Sequence, residues 1–260
     1  MDIGLYMLIG ALGLAVGSFL NVVIYRLPLG KPVAAGRSFC PICGRQLKWY
    51  HNIPIISYLA LGGRCGFCRA RIPIGYPLVE LLTSGCSLYF LWQYHLGIPF
   101  FVFSALCCAL IVIFFIDLDH QIIPDWITIP GIVAGLAVSV VPGGIGIAAS
   151  AIGLAVGGGS LYLAAVLGEK LFRREAMGGG DIKMAAMLGA FLGWQKVLLL
   201  FVAAAMIGLI VSIIWMAISA KLRKERLIPF GPFLALGAML AIVYGDRLIQ
   251  FYVQNFLHPY

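Results

Sequence analysis

Charge is what this chain has least of. Only 11% of its 260 residues are Asp, Glu, Lys or Arg, against 62% hydrophobic, and the mean hydropathy is +1.02. That balance excludes a water-soluble domain as a description of most of the chain; lipid must be part of its solvent. Alternation of polarity is lacking too. The apolar runs are long and unbroken, which argues against a membrane β-barrel and for several transmembrane helices of roughly 20 residues each. No strand leads into a helix-opening glycine pattern, so no dinucleotide-binding unit is read. No basic residue precedes the first apolar run, Ile3 to Ile24, and the run is longer than a typical signal core, so it is read as the first span. No separate basic domain accounts for the net charge of +8; the bases cluster beside apolar spans, and topology explains them without nucleic acid.

The fold class predicted is an all-α polytopic membrane protein with about eight transmembrane helices and a small cytoplasmic four-cysteine zinc-binding insertion. The spans are placed at 3–24, 76–95, 98–116, 126–141, 145–168, 182–194, 195–219 and 229–245, the sixth being short. Domains follow as a first transmembrane helix at 1–24, the insertion at 25–75 and a transmembrane core at 76–260. With residues 25–75 in the cytoplasm, 16 of the 18 Lys and Arg residues fall on or near that side. These include Arg26, Lys170, Arg174, Lys183, Lys221, Arg223, Lys224 and Arg226, whereas Lys196 and Arg247 lie near the other face. The positive-inside tendency supports this orientation, which leaves both termini outward. Gly143 to Gly146 reads as an external turn, and Gly157 to Gly159, inside an apolar run, as a close-packing stretch.

Two junctions switch abruptly from membrane-like to polar sequence. One is Phe114-Phe115-Ile116-Asp117-Leu118-Asp119-His120, continuing to Pro124-Asp125; the other is Met177-Gly178-Gly179-Gly180-Asp181-Ile182-Lys183. An acid at a membrane boundary is as often a solubility or capping residue as a functional one. Two such junctions make a carboxylate pair of Asp117 and Asp181 the stronger reading. When two carboxylates share a confined site, repulsion favours a state in which one is protonated and the other accepts a proton from water. That suits peptide hydrolysis, with one group activating water and the other polarising the scissile carbonyl. Spacing alone does not bring the two together, because 64 residues separate them.

Gly178 and Gly180 support Asp181, since glycine permits unusual backbone angles and close substrate approach, and the apolar helix that follows favours negative charge at its amino end. Pro124 sets the turn into the next span and leaves Asp125 at a capping-like position; on local chemistry Asp125 is the closest rival of Asp117. Asp119 points elsewhere on a regular helix and ranks below both. His120 is placed either near Asp117 or as an interfacial cap. Lys183 marks the cytoplasmic boundary or pairs with a carboxylate or lipid phosphate. Glu80, just inside the second span, is a buried structural or network residue before it is a catalytic one.

Cys40-Pro41-Ile42-Cys43 and Cys65-Gly66-Phe67-Cys68 form two CxxC pairs separated by 21 residues. Four thiolates at this spacing fit tetrahedral zinc, each close pair supplying adjacent ligands through a short turn. A cytoplasmic placement argues against permanent disulfides, while thiol exchange is the competing use of a CxxC. Cys86, Cys107 and Cys108 lie in apolar spans as packing residues, and His51, His95 and His258 show no ligand pattern.

These motifs together resemble the type IV prepilin leader peptidase family over nearly the full chain. The resemblance runs through Gly17-Ser18-Phe19-Leu20-Asn21 to Arg26-Leu27-Pro28, the paired CxxC motifs, Tyr76-Pro77-Leu78-Val79-Glu80 and Asp117 to Asp125. It continues through Gly178-Gly179-Gly180-Asp181-Ile182-Lys183 and Ile228-Pro229-Phe230-Gly231-Pro232. It implies a GxGD-type membrane aspartyl protease of the bacterial inner membrane with Asp117 and Asp181 as catalytic aspartates. Such an enzyme cleaves prepilins or type II secretion pseudopilins after Gly at the cytoplasmic face. Many members then methylate the new terminal amine, commonly on Phe, with S-adenosylmethionine, and the cysteine insertion marks that bifunctional class. Asp125, Gly178, Gly180 and Lys183 are candidates to support catalysis. Asn21, Arg26 and Glu80 are candidates for the second activity, with scaffold roles equally open; no cofactor motif locates its site. A transporter using membrane acids as a pathway, and a regulatory protein using the zinc module for partner binding, are the competing classes.

Overall fold

The computed structural model describes residues 2–34, 36–173, 177–218 and 229–257. Arg174, Lys221, Arg223, Lys224 and Arg226 of the basic set, together with Ile228 and His258, lie outside the described residues. The chain divides into two compact units, Met1–Ile116 and Asp117–Tyr260.

Unit 1 starts with helix α1, Ile3–Arg26, which ends where Leu27-Pro28-Leu29 tightens into a turn closed by Gly30. After the cysteine module and a five-residue helix α2, Ile56–Ala60, come α3, Gly75–Tyr94, and α4, Ile98–His120, whose last turn enters unit 2. Lipid tails are as apolar as leucine, so helices in a membrane associate through close packing and polar contacts. The α1–α3 seam shows both. A Cβ at Gly13 would lie 2.7 Å from the Ser84 Cα, and one at Gly17 would lie 2.6 Å from the Glu80 Cα. Across the same seam the Ser84 hydroxyl donates to the Gly10 carbonyl at 2.9 Å and the Asn21 amide to the Tyr76 carbonyl at 3.1 Å. Phe103 of α4 stacks on Tyr94 of α3 with ring centroids 5.3 Å apart.

Unit 2 adds α5, Asp125–Ser139; α6, Ile147–Phe172; α7, Gly179–Ile218; and α8, Gly231–Tyr252. Helix α7 is the hub. Glycines on α6 let its first half come close: Gly153 packs on Gly189 and Gly157 on Ala185, as the small-residue stretch predicts, while Gly159 faces open space. Gly131 and Gly135 of α5 make similar room for Met187 and Ala190. The turn between α5 and α6 uses Gly143 and Gly146, as expected.

The sixth and seventh predicted spans form one named helix, broken at Gly193, whose φ of 78° and ψ of 168° are non-helical. Contacts with α8 run in reverse register: Lys196 beside Gly245, Leu200 and Ala204 beside Gly237, Gly208 beside Phe233. The second arm of α7 therefore runs antiparallel to α8 and returns towards the end that holds Gly231. Ser150 of α6 donates to the Ala190 carbonyl at 2.7 Å, one turn before the break, which satisfies a backbone acceptor inside the bundle.

The chain is thus an all-α polytopic membrane protein. Five of its eight helices among the described residues, α1, α4, α6, α7 and α8, are long and apolar enough to cross a membrane. Of the other two predicted spans, α5 is short at 15 residues, and α3 carries Glu80, Thr83, Ser84, Ser87 and Gln93, which lower its apolarity.

Candidate active site and metal centre

Asp117 sits in the last turn of α4 and is 5% exposed. Its carboxylate accepts the backbone N–H of Gly231, the first residue of α8. Helix amino termini present unpaired N–H groups and a partial positive charge, so α8 supplies a fixed donor to an acid at a membrane edge. Asp181 lies in the first turn of α7 and is close enough to Asp117 to feel its charge. Its Oδ1 is buried and has no hydrogen-bond partner among the described residues. A buried acceptor left unmade costs about 1–3 kcal/mol, so this oxygen is one that a proton, water or substrate group would satisfy. The two acids that the sequence leaves 64 residues apart therefore come within electrostatic reach of each other, at the end of α4 and the start of α7.

The other predicted support residues sort differently. Asp125 does not cap α5. Pro124 holds the cap position, and the Asp125 carboxylate instead takes both of its oxygens to the Lys183 ammonium, at 2.8 and 2.7 Å. This ion pair is about half exposed, which sets Asp125 apart from the buried Asp117, and it gives Lys183 a carboxylate partner. Neither Gly178 nor Gly180 has a positive φ, contrary to the expectation of unusual backbone angles. At Gly180 the contribution is space, since a Cβ there would lie 2.9 Å from the Ile123 Cβ; a Cβ at Gly178 would make only ordinary contact with Asp181 Oδ2, at 3.4 Å. Asp119 and His120 are exposed.

Gly231 is the residue that sequence reasoning missed. A Cβ there would lie 2.5 Å from Asp117 Oδ2 and 3.0 Å from Ile123 Cδ1. Ile123 thus packs against both glycines, Gly180 and Gly231, that flank the acids. The visible signal was Gly231-Pro232 opening an apolar run, with no Ser, Thr, Asp or Asn immediately ahead to cap it.

In unit 1 the cysteine module is two similar knuckles. Cys40 N–H bonds Arg45 O and Gly44 N–H bonds Cys40 O; Cys65 N–H bonds Ala70 O and Arg69 N–H bonds Cys65 O. Isolated bridges Phe39–Gln46 and Arg64–Arg71 close the two turns. The sulfurs of Cys40, Cys43, Cys65 and Cys68 lie within 4.8 Å of one another, with Cys40 and Cys68 at 3.9 Å. Tetrahedral Zn–S bonds of ~2.3 Å set sulfurs ~3.8 Å apart, so this donor set fits one metal ion. Backbone N–H groups of Cys68 and then Phe67 pull the Cys65 thiol down to about 7, towards the thiolate a metal binds.

Asn21, Arg26 and Glu80 all face one cavity in unit 1, between α1, α3 and the module. Arg26 donates to the carbonyls of Pro32, Val33, Gly36 and Arg37, a scaffold for the chain entering the module. Glu80 Oε2 accepts the Ile55 N–H at 2.8 Å, at a residue held with a φ of 61°.

Comparison with known proteins finds two family matches along the chain. The profile described as the bacterial peptidase A24 N-terminal domain matches residues 11–94, and that of the type IV leader peptidase family matches residues 104–213. A prepilin leader peptidase/N-methyltransferase of Myxococcus xanthus is 44% identical over 214 residues, covering 81% of this chain and 63% of that protein. Proteins of the same name from Pseudomonas putida and Legionella pneumophila are 35% and 33% identical, covering 91% and 96% of this chain and 90% and 94% of their own lengths. No solved structure matches. With paired acids at helix ends, a four-cysteine module and two of these relatives matched over nearly their whole lengths, the chain belongs to the type IV leader peptidase family.

Proposed function

We propose that this chain is a membrane aspartyl endopeptidase that removes the leader of type IV prepilins or pseudopilins after Gly, and then methylates the new terminal amine. Asp117 and Asp181 are its catalytic pair. The observation that carries this is a buried Asp117, held by the amino terminus of α8, within electrostatic reach of Asp181, one of whose oxygens has no partner among the described residues.

Catalysis follows from one proton shared between two carboxyl groups. The ionised member takes a proton from water as the water oxygen attacks the scissile carbonyl; the protonated member donates to the carbonyl oxygen. As the tetrahedral adduct collapses, the proton taken from water passes to the leaving amine and the C–N bond breaks, while the other carboxylate takes back the proton from an adduct hydroxyl as the carbonyl re-forms, so the pair returns to its starting charge. The Gly231 N–H keeps the Asp117 carboxylate oriented throughout, and Ile123 shields the pair from bulk water. Asp125 and Lys183 form an exposed brace joining α5 to α7.

The active site faces the cytoplasm at the bacterial inner membrane, with both termini outward, an orientation supported by the distribution of basic residues. The four cysteines hold one structural zinc ion, which fixes the module that a short 25–75 segment could not stabilise by burial alone. For the second reaction S-adenosylmethionine, when bound, supplies an electrophilic methyl group. Asn21 and Arg26 support the site as scaffold, since each has polar atoms committed to backbone carbonyls.

The test is to incubate purified protein with a precursor pilin and follow intact mass, with and without S-adenosylmethionine. Asp117→Asn and Asp181→Asn should each abolish cleavage while the protein stays folded; full cleavage by either removes that residue from the pair. A one-methyl mass gain that appears after cleavage and needs the cofactor identifies the second reaction.

A further inference from the structure

The α1–α3 seam sets a depth scale for the chain that leaves α1 and returns into α3. Helix α1, with 24 residues, measures about 36 Å, roughly 6 Å more than a hydrocarbon core of ~30 Å. Glu80 packs level with Gly17, which lies nine residues, about 13 Å, before the Arg26 end of α1. Even with the whole excess of α1 projecting from the bilayer at that end, Glu80 stays about 7 Å beneath the hydrocarbon surface.

The module sends a loop down to this level. The Ile55 N–H donates to Glu80 Oε2 at 2.8 Å, and Ile55 holds a φ of 61° that a β-branched residue rarely adopts. Such a conformation persists only where its surroundings fix it, here through the Glu80 anchor. Helix α2 follows at once, with Ile56 and Leu59 on one face, 64% and 70% exposed. Its polar groups are satisfied from within. The N–H groups of Ser57, Leu59 and Leu61 bond the carbonyls of Ile53, Ile55 and Ser57, and the Ser57 hydroxyl donates to Ile53 O at 2.7 Å. Backbone at membrane depth must meet that condition. Just ahead of the loop Trp49 is exposed, Tyr50 lies edge-on against it, and the Lys48 ammonium is 5.6 Å from the Tyr50 ring centre. These residue types gather where headgroups meet acyl chains.

We propose that residues 49–60 form a re-entrant element seated in the phospholipid leaflet at the Arg26 end of α1, with Ile56 and Leu59 among acyl chains and Trp49 and Tyr50 at headgroup level. Charge selects lipid as the occupant. Between residues 27 and 74 there are seven Lys and Arg residues, all exposed, and no Asp or Glu, a balance that complements lipid phosphates. Burial points the same way. Among the described residues of that stretch only Cys40 and Cys65 are buried apolar side chains, so the module has no core of its own to receive Ile56 and Leu59. Acyl chains supply one, and the element ties the zinc module to the bilayer at a third point besides α1 and α3.

The test uses the full zinc-loaded protein in phospholipid nanodiscs. Hydroxyl radicals made in the water phase, with oxidation read by peptide mapping, should find Ile42 of the first knuckle, 70% exposed, as a control of matched exposure. Because acyl chains exclude water, Ile56 and Leu59 should be oxidised at least about fivefold more slowly than Ile42. Equal oxidation at the three positions overturns the proposal. Protection by lipid is told from protection by protein with a benzophenone side chain in place of Leu59. On irradiation it should add the mass of one phospholipid to the intact protein; crosslinks to another copy or to another part of this chain overturn the proposal. Because the footprint is read on the unaltered protein, a variant that fails to fold does not protect the proposal.

Discussion

Replacing Gly231 with alanine tests the active-site geometry at the point where backbone, carboxylate and apolar wall converge. The added methyl would lie 2.5 Å from Asp117 Oδ2, 3.0 Å from Ile123 Cδ1 and 3.1 Å from Asp117 Cγ, so carboxylate or helix must move. The movement breaks the Gly231 N–H bond to a charged acceptor, an interaction of about 1.5–3 kcal/mol. At about 1.4 kcal/mol per decade, kcat for leader cleavage should fall ~10- to 100-fold. KM should change little, because the methyl meets the carboxylate and not the substrate helix. Steady-state cleavage of a precursor pilin, followed by intact mass, measures both constants. Gly159→Ala is the control: that site opens onto empty space in α6, so alanine should leave kcat intact and add up to ~1 kcal/mol of helix propensity. Wild-type kcat in Gly231→Ala would refute the claim that α8 positions Asp117.

Asp125→Asn and Lys183→Met should each change cleavage by less than about fivefold, because exposed ion pairs contribute ~0–1 kcal/mol; a loss as deep as that of Asp181→Asn would promote Asp125 into the catalytic pair. Elemental analysis should find about one zinc per chain, and Cys65→Ser should lose it, whereas metal-free protein with reversible thiol exchange would favour a redox module. Arg69, at the position where the first knuckle has Gly44, is held at a φ of 59°. A left-handed residue other than glycine costs roughly 1–2 kcal/mol, so Arg69→Gly should slow zinc release to a chelator by about tenfold, and faster release would contradict the strain.

How much of this was legible in the sequence depended on how local each interaction is. The cysteine pairs were readable because each knuckle closes within six residues, as in the Cys40 to Arg45 turn. The membrane helices were readable from apolar length, and the predicted end of the sixth span falls within a residue or two of the break at Gly193. Partnerships across helices were not readable. Asp125 reads locally as a cap but reaches Lys183, 58 residues away. Gly178 and Gly180 suggest a backbone role, yet Gly180 instead provides clearance, which depends on where Ile123 comes to lie. Arg26 gathers four carbonyls around it, a set that forms only as the chain folds back into the module.

The break at Gly193 also fixes how deep the chemistry lies. The arm of α7 that carries Asp181 runs from Gly179 to Leu192 before the chain doubles back. Fourteen helical residues rise about 21 Å, well short of a hydrocarbon core of ~30 Å. A bilayer meets such an arm by thinning around it or by letting its polar end sink beneath the headgroups. With Asp117 and Asp181 as the proposed catalytic pair, either adjustment would bring water and the two carboxyl groups down to the level where a substrate's own membrane helix begins. The scissile peptide then need not be lifted out of the membrane to be cut.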